Sequence, residues 1–247
     1  MVTAKDIRVA PISSKAALFF VRRHHYSGKA GTNSQLHFGV FLDKVLHGVM
    51  QFGPPIDKRN LIGLVEGTGW NNFMELNRMA FSEHLPRNSE SRALAVAFKL
   101  IRKNYPQIKW VVSFADGTQC GDGTIYRASG FKLTAIRKNT TIVRLADGEV
   151  TAKHGTSKKD FSRAKTLPGF QLRYIYFIDK EWEDSLAVEE LPFSKIDEMG
   201  AGMYKGIKRE KQAMDVPTSQ RRGSTDLHAP ILNDKVKNFP SIKEAGQ

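Results

Sequence analysis

MELNRMAFSEHLPRNSESRALAVAFKLIRKNYPQIKWVVSFA, residues 74–115, is the stretch whose reading decides the fold. Its first eight residues have the apolar content and spacing of a strand. RNSESRALAVAFKLIRKNY, residues 87–105, sets Ala93, Val96, Ala97, Leu100 and Ile101 on one apolar stripe at helical spacing. Pro106 stops that helix, because the residue before a proline is pushed out of the helical region. IKWVVSFA, residues 108–115, is a nearly continuous apolar run, expected of a strand covered on both faces. Strand, long helix and buried strand together predict a right-handed β-α-β unit.

Upstream, DIRVAPI (6–12) reads as a strand, and SSKAALFFVRRHHY (13–26) as a helix with a Ser N-cap. QLHFGVFL (35–42) and VLHGVMQFG (45–53) read as a hairpin across a short Asp-Lys turn. PPIDKRNLIGLVEGTGWNN (54–72) is a Pro/Gly-rich insertion with room for one helical turn. Downstream, DGTIYRASGF (122–131) predicts a short helix with Asp122 as N-cap and Gly130 just past its end. FKLTAIR (131–137), TTIVRLA (140–146) and FQLRYIYFI (170–178) read as strands, and SKKDFSRAK (157–165) as a short basic helix or loop. The expected class is α/β (α+β), with one domain over 1–195 that carries a basic insertion at about 147–169. Residues 196–247 are expected to form an extension that packs locally or is partly disordered.

The 247 residues include one cysteine, Cys120, which excludes an internal disulfide framework and a Cys-rich zinc site. The N-terminal MVTAKDIRVAP has no apolar core, and no apolar run approaches the ~20 residues needed to span a bilayer. A cytoplasmic, membrane-free protein is the expectation. The formal charge is +13. Solubility accounts for some excess charge, but the sequence offers no strongly amphipathic basic helix for a membrane, which leaves nucleic acid as the leading partner. Between residues 132 and 173, Lys132, Arg137, Lys138, Arg144, Lys153, Lys158, Lys159, Arg163, Lys165 and Arg173 face only Asp147, Glu149 and Asp160. Phosphate tracking by Lys153, Lys158, Lys159, Arg163, Lys165 and Arg173, joined by Arg22 and Arg23, is the expected use of that excess. Phe161 and Tyr174 fit either the core or stacking near a flipped base.

The order of elements resembles the GNAT fold of acyl-CoA-dependent N-acetyltransferases. That resemblance implies a mixed central sheet, mostly antiparallel, with splayed parallel central strands flanked by helices. It implies that acetyl-CoA, or a related acyl-CoA, sets its pyrophosphate on the loop before the long helix, where N–H groups and the positive dipole end are exposed. Here that loop is EHLPRNSESRAL (83–94), without the family's glycines, and Arg87, Asn88, Ser89, Glu90, Ser91 and Arg92 are the candidates. The family's tyrosine that protonates the departing thiolate corresponds to Tyr126 in IYRASGF. A packed Tyr is the alternative reading.

MELNRMAF, PRNSESRALAVAF and KWVVSFADGTQCGDGTIYRASGF look like the Mom DNA-modification family of Mu-like phages, over roughly residues 10–180. This resemblance implies conversion of adenine in duplex DNA to its N6-carbamoylmethyl form, which protects phage DNA from restriction in the host cytoplasm. A conventional acetyltransferase acting on protein or tRNA, or a non-catalytic GNAT-like DNA-binding module, are the alternatives. Asp116 ends a strand, where α/β sheets place ligand crevices, and suits a base for the adenine amine or a simple Asp-Gly turn. Ser113, Thr118, Gln119 and Asp122 lie beside it. Of the adjacent His24 and His25, the Mom resemblance favours His25, and it leaves open an iron held by His25 and Asp116. Arg78 and Glu75 have odd spacing on one strand, so they are expected on opposite faces, with Arg78 toward the cleft or in an ion pair. A homodimer is left open.

Overall fold

A computed structural model describes residues 2–25, 27–31, 33–116, 123–153, 161–201, 203–204 and 207–208. Strand β1 (Arg8–Pro11) leads into helix α1 (Ser14–His24), where Ser13 Oγ accepts from the Ala16 N–H at 3.3 Å as N-cap. Strands β2 (Leu36–Leu42) and β3 (Val45–Gly53) form the expected hairpin. Its two turn residues, Asp43 and Lys44, both have positive φ, as a tight hairpin turn requires. Helix α2 (Lys58–Leu61) and a 3-10 turn (Ile62–Leu64) fill the insertion before β4 (Phe73–Phe81). Helix α3 (Ser89–Asn104) and β5 (Trp110–Asp116) complete the β-α-β unit.

After α4 (Thr124–Ala128) and β6 (Lys132–Lys138) the chain leaves the main sheet. Strands β7 (Ile142–Arg144), β8 (Val150–Ala152) and β9 (Lys165–Thr166) pair in the order β8-β7-β9 as a small sheet of their own. β10 (Phe170–Phe177) then returns between β5 and β6. The described main sheet has seven strands in the order β1-β2-β3-β4-β5-β10-β6, with β4 and β5 parallel and the other neighbours antiparallel. A second 3-10 turn (Lys180–Ser185), helix α5 (Ser194–Glu198) and the short pair β11 (Met203–Tyr204) and β12 (Ile207–Lys208) follow. The chain divides into two compact units, 1–210 and 211–247, the second of which lies outside the described residues. The expected boundary at 195/196 falls inside the first unit, whose core includes Ile196 and Ala201.

Helix α3 buries Ala93, Leu94, Ala97, Phe98 and Ile101 against the sheet, while Val96 and Leu100 are only half-buried. The stripe is therefore turned slightly from the expected one, which brings Phe98 flat onto Tyr176 at 4.1 Å. On the opposite face, Phe73 and Trp110 stack at 4.3 Å and pack with Leu61, Leu64 and Val65 of the insertion. Farther along that face, α1 buries Ala17, Phe20 and Val21 against Val49 and Ala80.

Arg173 was expected on the DNA-facing surface, and the structure corrects this. It is 8% exposed in β10, beside a register shift against β6 that leaves Thr134 as an extra residue. Its guanidinium donates to Thr134 Oγ1 at 3.0 Å and to the Thr134 carbonyl at 3.0 Å, satisfying a group that the bulge unpairs. Arg173→Met is expected to destabilise the fold by about 1–3 kcal/mol, the cost of an unsatisfied buried polar group, and Arg163→Ala to change little. Urea unfolding of the two variants checks the contrast.

Candidate active site at the parting of two strands

β4 and β5 pair only at Phe73–Trp110, Met74–Val111 and Glu75–Val112. Beyond these, both strands run on, to Phe81 and Asp116, paired to β3 and β10 but no longer to each other. The parting coincides with a bulge. Gln51 of β3 faces Arg78 and Phe52 faces Leu76, so Asn77 is the extra residue. Asn77 Oδ1 accepts from Ser34 Oγ at 3.0 Å, which ties the bulge to the α1–β2 loop. The bulge shifts the alternation of β4 by one. Met74 and Leu76 pack with the α3 face before it, and Met79 packs there after it. Glu75 and Arg78 therefore share the α1 face, against the expectation from their odd spacing. A side chain's parity cannot be counted through an extra residue.

On the α3 face, Ser113 is fully buried, and its hydroxyl donates to the Tyr126 hydroxyl oxygen at 2.9 Å. A longer contact, 3.4 Å, reaches the Leu76 carbonyl across the parting. Tyr126 stacks on buried Tyr174 at 4.5 Å and meets Phe131 edge-on at 5.1 Å. So the ring is packed, as one expectation for Tyr126 has it, and the hydroxyl lies beside the parting next to Ser113. Gly123, with φ of 72°, is the N-cap of α4. A Cβ there would stand 2.0 Å from the Tyr174 hydroxyl. This glycine lets the start of α4 close over Tyr174 and sets Tyr126. The expected cap Asp122 lies outside the described residues, as do Thr118 and Gln119.

On the α1 face, Asp116 shares the parity of Val112 and Phe114, which pack away from α3. Arg78 donates from Nε to the Lys29 carbonyl at 3.2 Å and from Nη1 to the Asn77 carbonyl at 2.6 Å, fastening the α1–β2 loop over β4. His25 caps α1, and its Nδ1 accepts from the Ser27 backbone N–H at 3.2 Å and lies 2.8 Å from Ser27 Oγ. Burial and the Arg78 charge lower its pKa to about 4. At neutral pH it is an uncharged imidazole with its proton on Nε2. Burial raises the pKa of Glu75, opposed by Asn77 and Arg78. Glu75 is thus a second carboxylate on this face, which the sequence reading left outside the site. Beside it, His37, Gln51 and Arg78 form a polar row across β2, β3 and β4.

At the start of α3, Asn88 takes φ of 69°, the left-handed region that Asn enters more readily than most residues. Arg87 and Arg92 are exposed. Ser89 is buried and donates to the Pro86 carbonyl at 2.6 Å, and Ser91 donates to the Asn88 carbonyl at 3.2 Å. Both hydroxyls, expected to face an anion, hold the turn instead. What the loop presents outward is backbone N–H groups of Glu90 and Ser91 with the two arginines.

Residues 6–195 match the Mom protein family. The chain belongs to that family. Over 190 residues it is 37% identical to the methylcarbamoylase mom of Escherichia phage Mu, covering 72% of this chain and 78% of that protein. Similar solved structures include a spermidine/spermine N-acetyltransferase of Vibrio cholerae in complex with manganese ions. It aligns at a TM-score of 0.46 and 9% identity, over 74% of this chain and 99% of that one. A GNAT family acetyltransferase of Elizabethkingia anophelis, with acetyl-CoA bound, aligns at 0.39 and 14% identity, over 70% and 98%.

The iron left open by the Mom resemblance finds no cluster among the described residues, where no three His, Cys, Asp or Glu side chains come together to hold a metal ion. The basic residues sort into two groups. Lys132 is paired with Glu183 at 3.0 Å and with Glu190. Arg137, Lys138, Arg144, Lys153, Arg163 and Lys165 are exposed on β6 and on or beside the small sheet, and Arg22 and Arg23 on the end of α1. Lys158 and Lys159 lie outside the described residues.

Two expectations follow from this Mom-family site. Gly123→Ala should destabilise the protein by more than the ~1–2 kcal/mol of a left-handed residue, because the Cβ also overlaps Tyr174. Adding Tyr174→Phe should recover part of the loss in urea unfolding. His25 should titrate near pH 4 by NMR. Its unfolded state binds a proton from pH 6.5 downward and its folded state does not until about 4, so it lowers stability as pH falls through that window. His25→Gln should flatten the pH dependence there.

Proposed function

We propose that this protein modifies adenine in duplex DNA at N6, giving the carbamoylmethyl derivative that protects phage DNA from restriction. The observation that carries the reading is the Tyr126–Ser113 pair at the parting of β4 and β5, in a chain 37% identical to a phage methylcarbamoylase. An acyl-CoA, when bound, supplies an activated carbon and a thiolate leaving group. The outward N–H groups of Glu90 and Ser91, with Arg87 and Arg92, suit its phosphates.

The division of the site into two faces supports distinct roles. Adenine N6 is a weak nucleophile, because its lone pair is conjugated with the ring, so it must lose a proton as it attacks. Asp116 is the carboxylate for that proton, on the α1 face with Glu75. The Ser113 and Tyr126 hydroxyls lie 2.9 Å apart beside the parting, where the phenol suits a departing group that needs a proton. Arg78 holds the α1–β2 loop closed over β4 and keeps positive charge beside the acceptor. Neutral His25 presents Nε2–H as a donor. The product joins N6 to a methylene carbon bearing a carboxamide. Plain acetyl transfer does not give it, because that bonds N6 to the thioester carbonyl. The step balances with a donor whose CH2 bears both the carboxamide and a leaving group. N6 displaces that group, which takes the Tyr126 proton while Asp116 takes the N6 proton.

The exposed cations of the small sheet suit phosphates, and the target base reaches the cleft only when unpaired or flipped. Nucleoside mass spectrometry of DNA from cells expressing the chain is expected to show modified adenine. Asp116→Asn and Tyr126→Phe should each lower it by about 100- to 10,000-fold with the fold intact. Unmodified adenine alongside acetylated protein or tRNA would replace this reading with that of a conventional acetyltransferase.

A further inference from the structure

The insertion between β3 and β4 ends in a point. Ile56 is 94% exposed, the most exposed of the large apolar side chains described. It follows Pro54 and Pro55, and Pro55 is buried, so the tip stands on a stiff and anchored base. Lys58 lies over the exposed Trp70 ring at 4.9 Å and over Phe73 at 5.3 Å, and Arg59 is exposed beside it. Ile56, Asp57, Lys58, Arg59 and Trp70, with the two prolines, line a cavity of about 380 Å³. A lone apolar tip is a poor solubility device, and two cations follow it closely. Nothing in the packing of α2 requires it, since α2 is held by Leu61, Leu64 and Val65.

The tip is tied to the site. Gly53, three residues before Ile56, pairs with Glu75 at the point where β4 and β5 part. Three residues span at most about 11 Å. The Asn33 side-chain amide donates to the Pro54 carbonyl at 2.6 Å, linking the tip to the α1–β2 loop that Arg78 fastens. A Cβ on Gly53 would meet the Asn33 carbonyl at 2.5 Å, so the two loops are seated against each other.

We propose that Ile56 is a wedge that enters the base stack of duplex DNA and holds open the place of the extruded adenine, with Lys58 and Arg59 on the flanking phosphates. Apolar side chains that partly unstack base steps act in this way, offsetting the cost of the distortion with contacts to the bent duplex. The proposal rests on the reading of adenine in duplex DNA as substrate. Lys58 and Arg59 close after the tip favour DNA over a protein partner, because a single apolar side chain offers little area for protein and two cations suit phosphates.

The test uses the full chain and duplex fragments with adenines partly replaced by 2-aminopurine, whose fluorescence rises on unstacking. The wild type is expected to raise it. Ile56→Ser should lose that rise by about tenfold while still binding the duplex, since the wedge acts on stacking. Lys58→Glu and Arg59→Glu should instead weaken duplex binding and reduce the salt slope by about one each. If the wild type unstacks and Ile56→Ser does so equally, the wedge is wrong and the DNA reading stands. If the wild type binds no duplex, both fall. If Ile56→Ser changes only the sedimentation of the protein, the tip is an interface between copies, and the wedge is likewise overturned.

Discussion

Everything in this molecule depends on where parallel pairing stops. β4 and β5 share only three register pairs before they separate. Parallel strands are joined by backbone hydrogen bonds, and parting them leaves polar groups that need other partners. The protein supplies two at once. Asn77 bulges out of β4 with its side chain held by Ser34, and the Arg78 guanidinium takes the Asn77 carbonyl. The gap is therefore a built feature, with its loose ends tied by side chains that also form the site.

In the proposed reaction, the parting also keeps a proton donor and a proton acceptor from neutralising each other. A phenol proton donor and a carboxylate proton acceptor in direct contact would simply bond to each other. Here Tyr126 comes from the α3 face and Asp116 and Glu75 belong to the α1 face. The open part of the sheet is the route between them. His25 stays uncharged on the same face because it is buried near Arg78. That cation is neighbour to one group that resists a proton and another, Glu75, that is inclined to keep one.

Much of the frame was legible in the residues. The β-α-β unit, the hairpin and the strand at 170–178 follow from periodicity and proline and glycine punctuation. Tyr126 and the α3 loop stand out only through resemblance, since a tyrosine in a short helix and a polar loop carry no spacing signal of their own. The faces of Glu75 and Arg78 were not legible, because a bulge is one residue without a sequence signal of its own. The insertion of β10 between β5 and β6 was not legible either, since pairing partners depend on the whole sheet. Ser89 and Ser91 read as ligand groups because hydroxyls at a helix start usually are. Their distances to Pro86 and Asn88 carbonyls are what assign them to the turn.

Charge shows the same limit from another side. A net charge of +13 is a property of the list of residues, and it treats Arg173, Lys132 and Lys165 as equals. The fold does not. Burial takes Arg173 to repair a bulge, and two glutamates take Lys132. What is left for a polyanion is the set on β6, the small sheet and the end of α1, with Lys58 and Arg59 at the tip of the insertion. Phosphates of a duplex are evenly spaced along its axis. A partner of that kind is met by cations spread over a surface, and spread is what remains once the internal uses are subtracted. The case for nucleic acid thus rests on which cations the sheet leaves exposed, and the excess in composition is only its first sign.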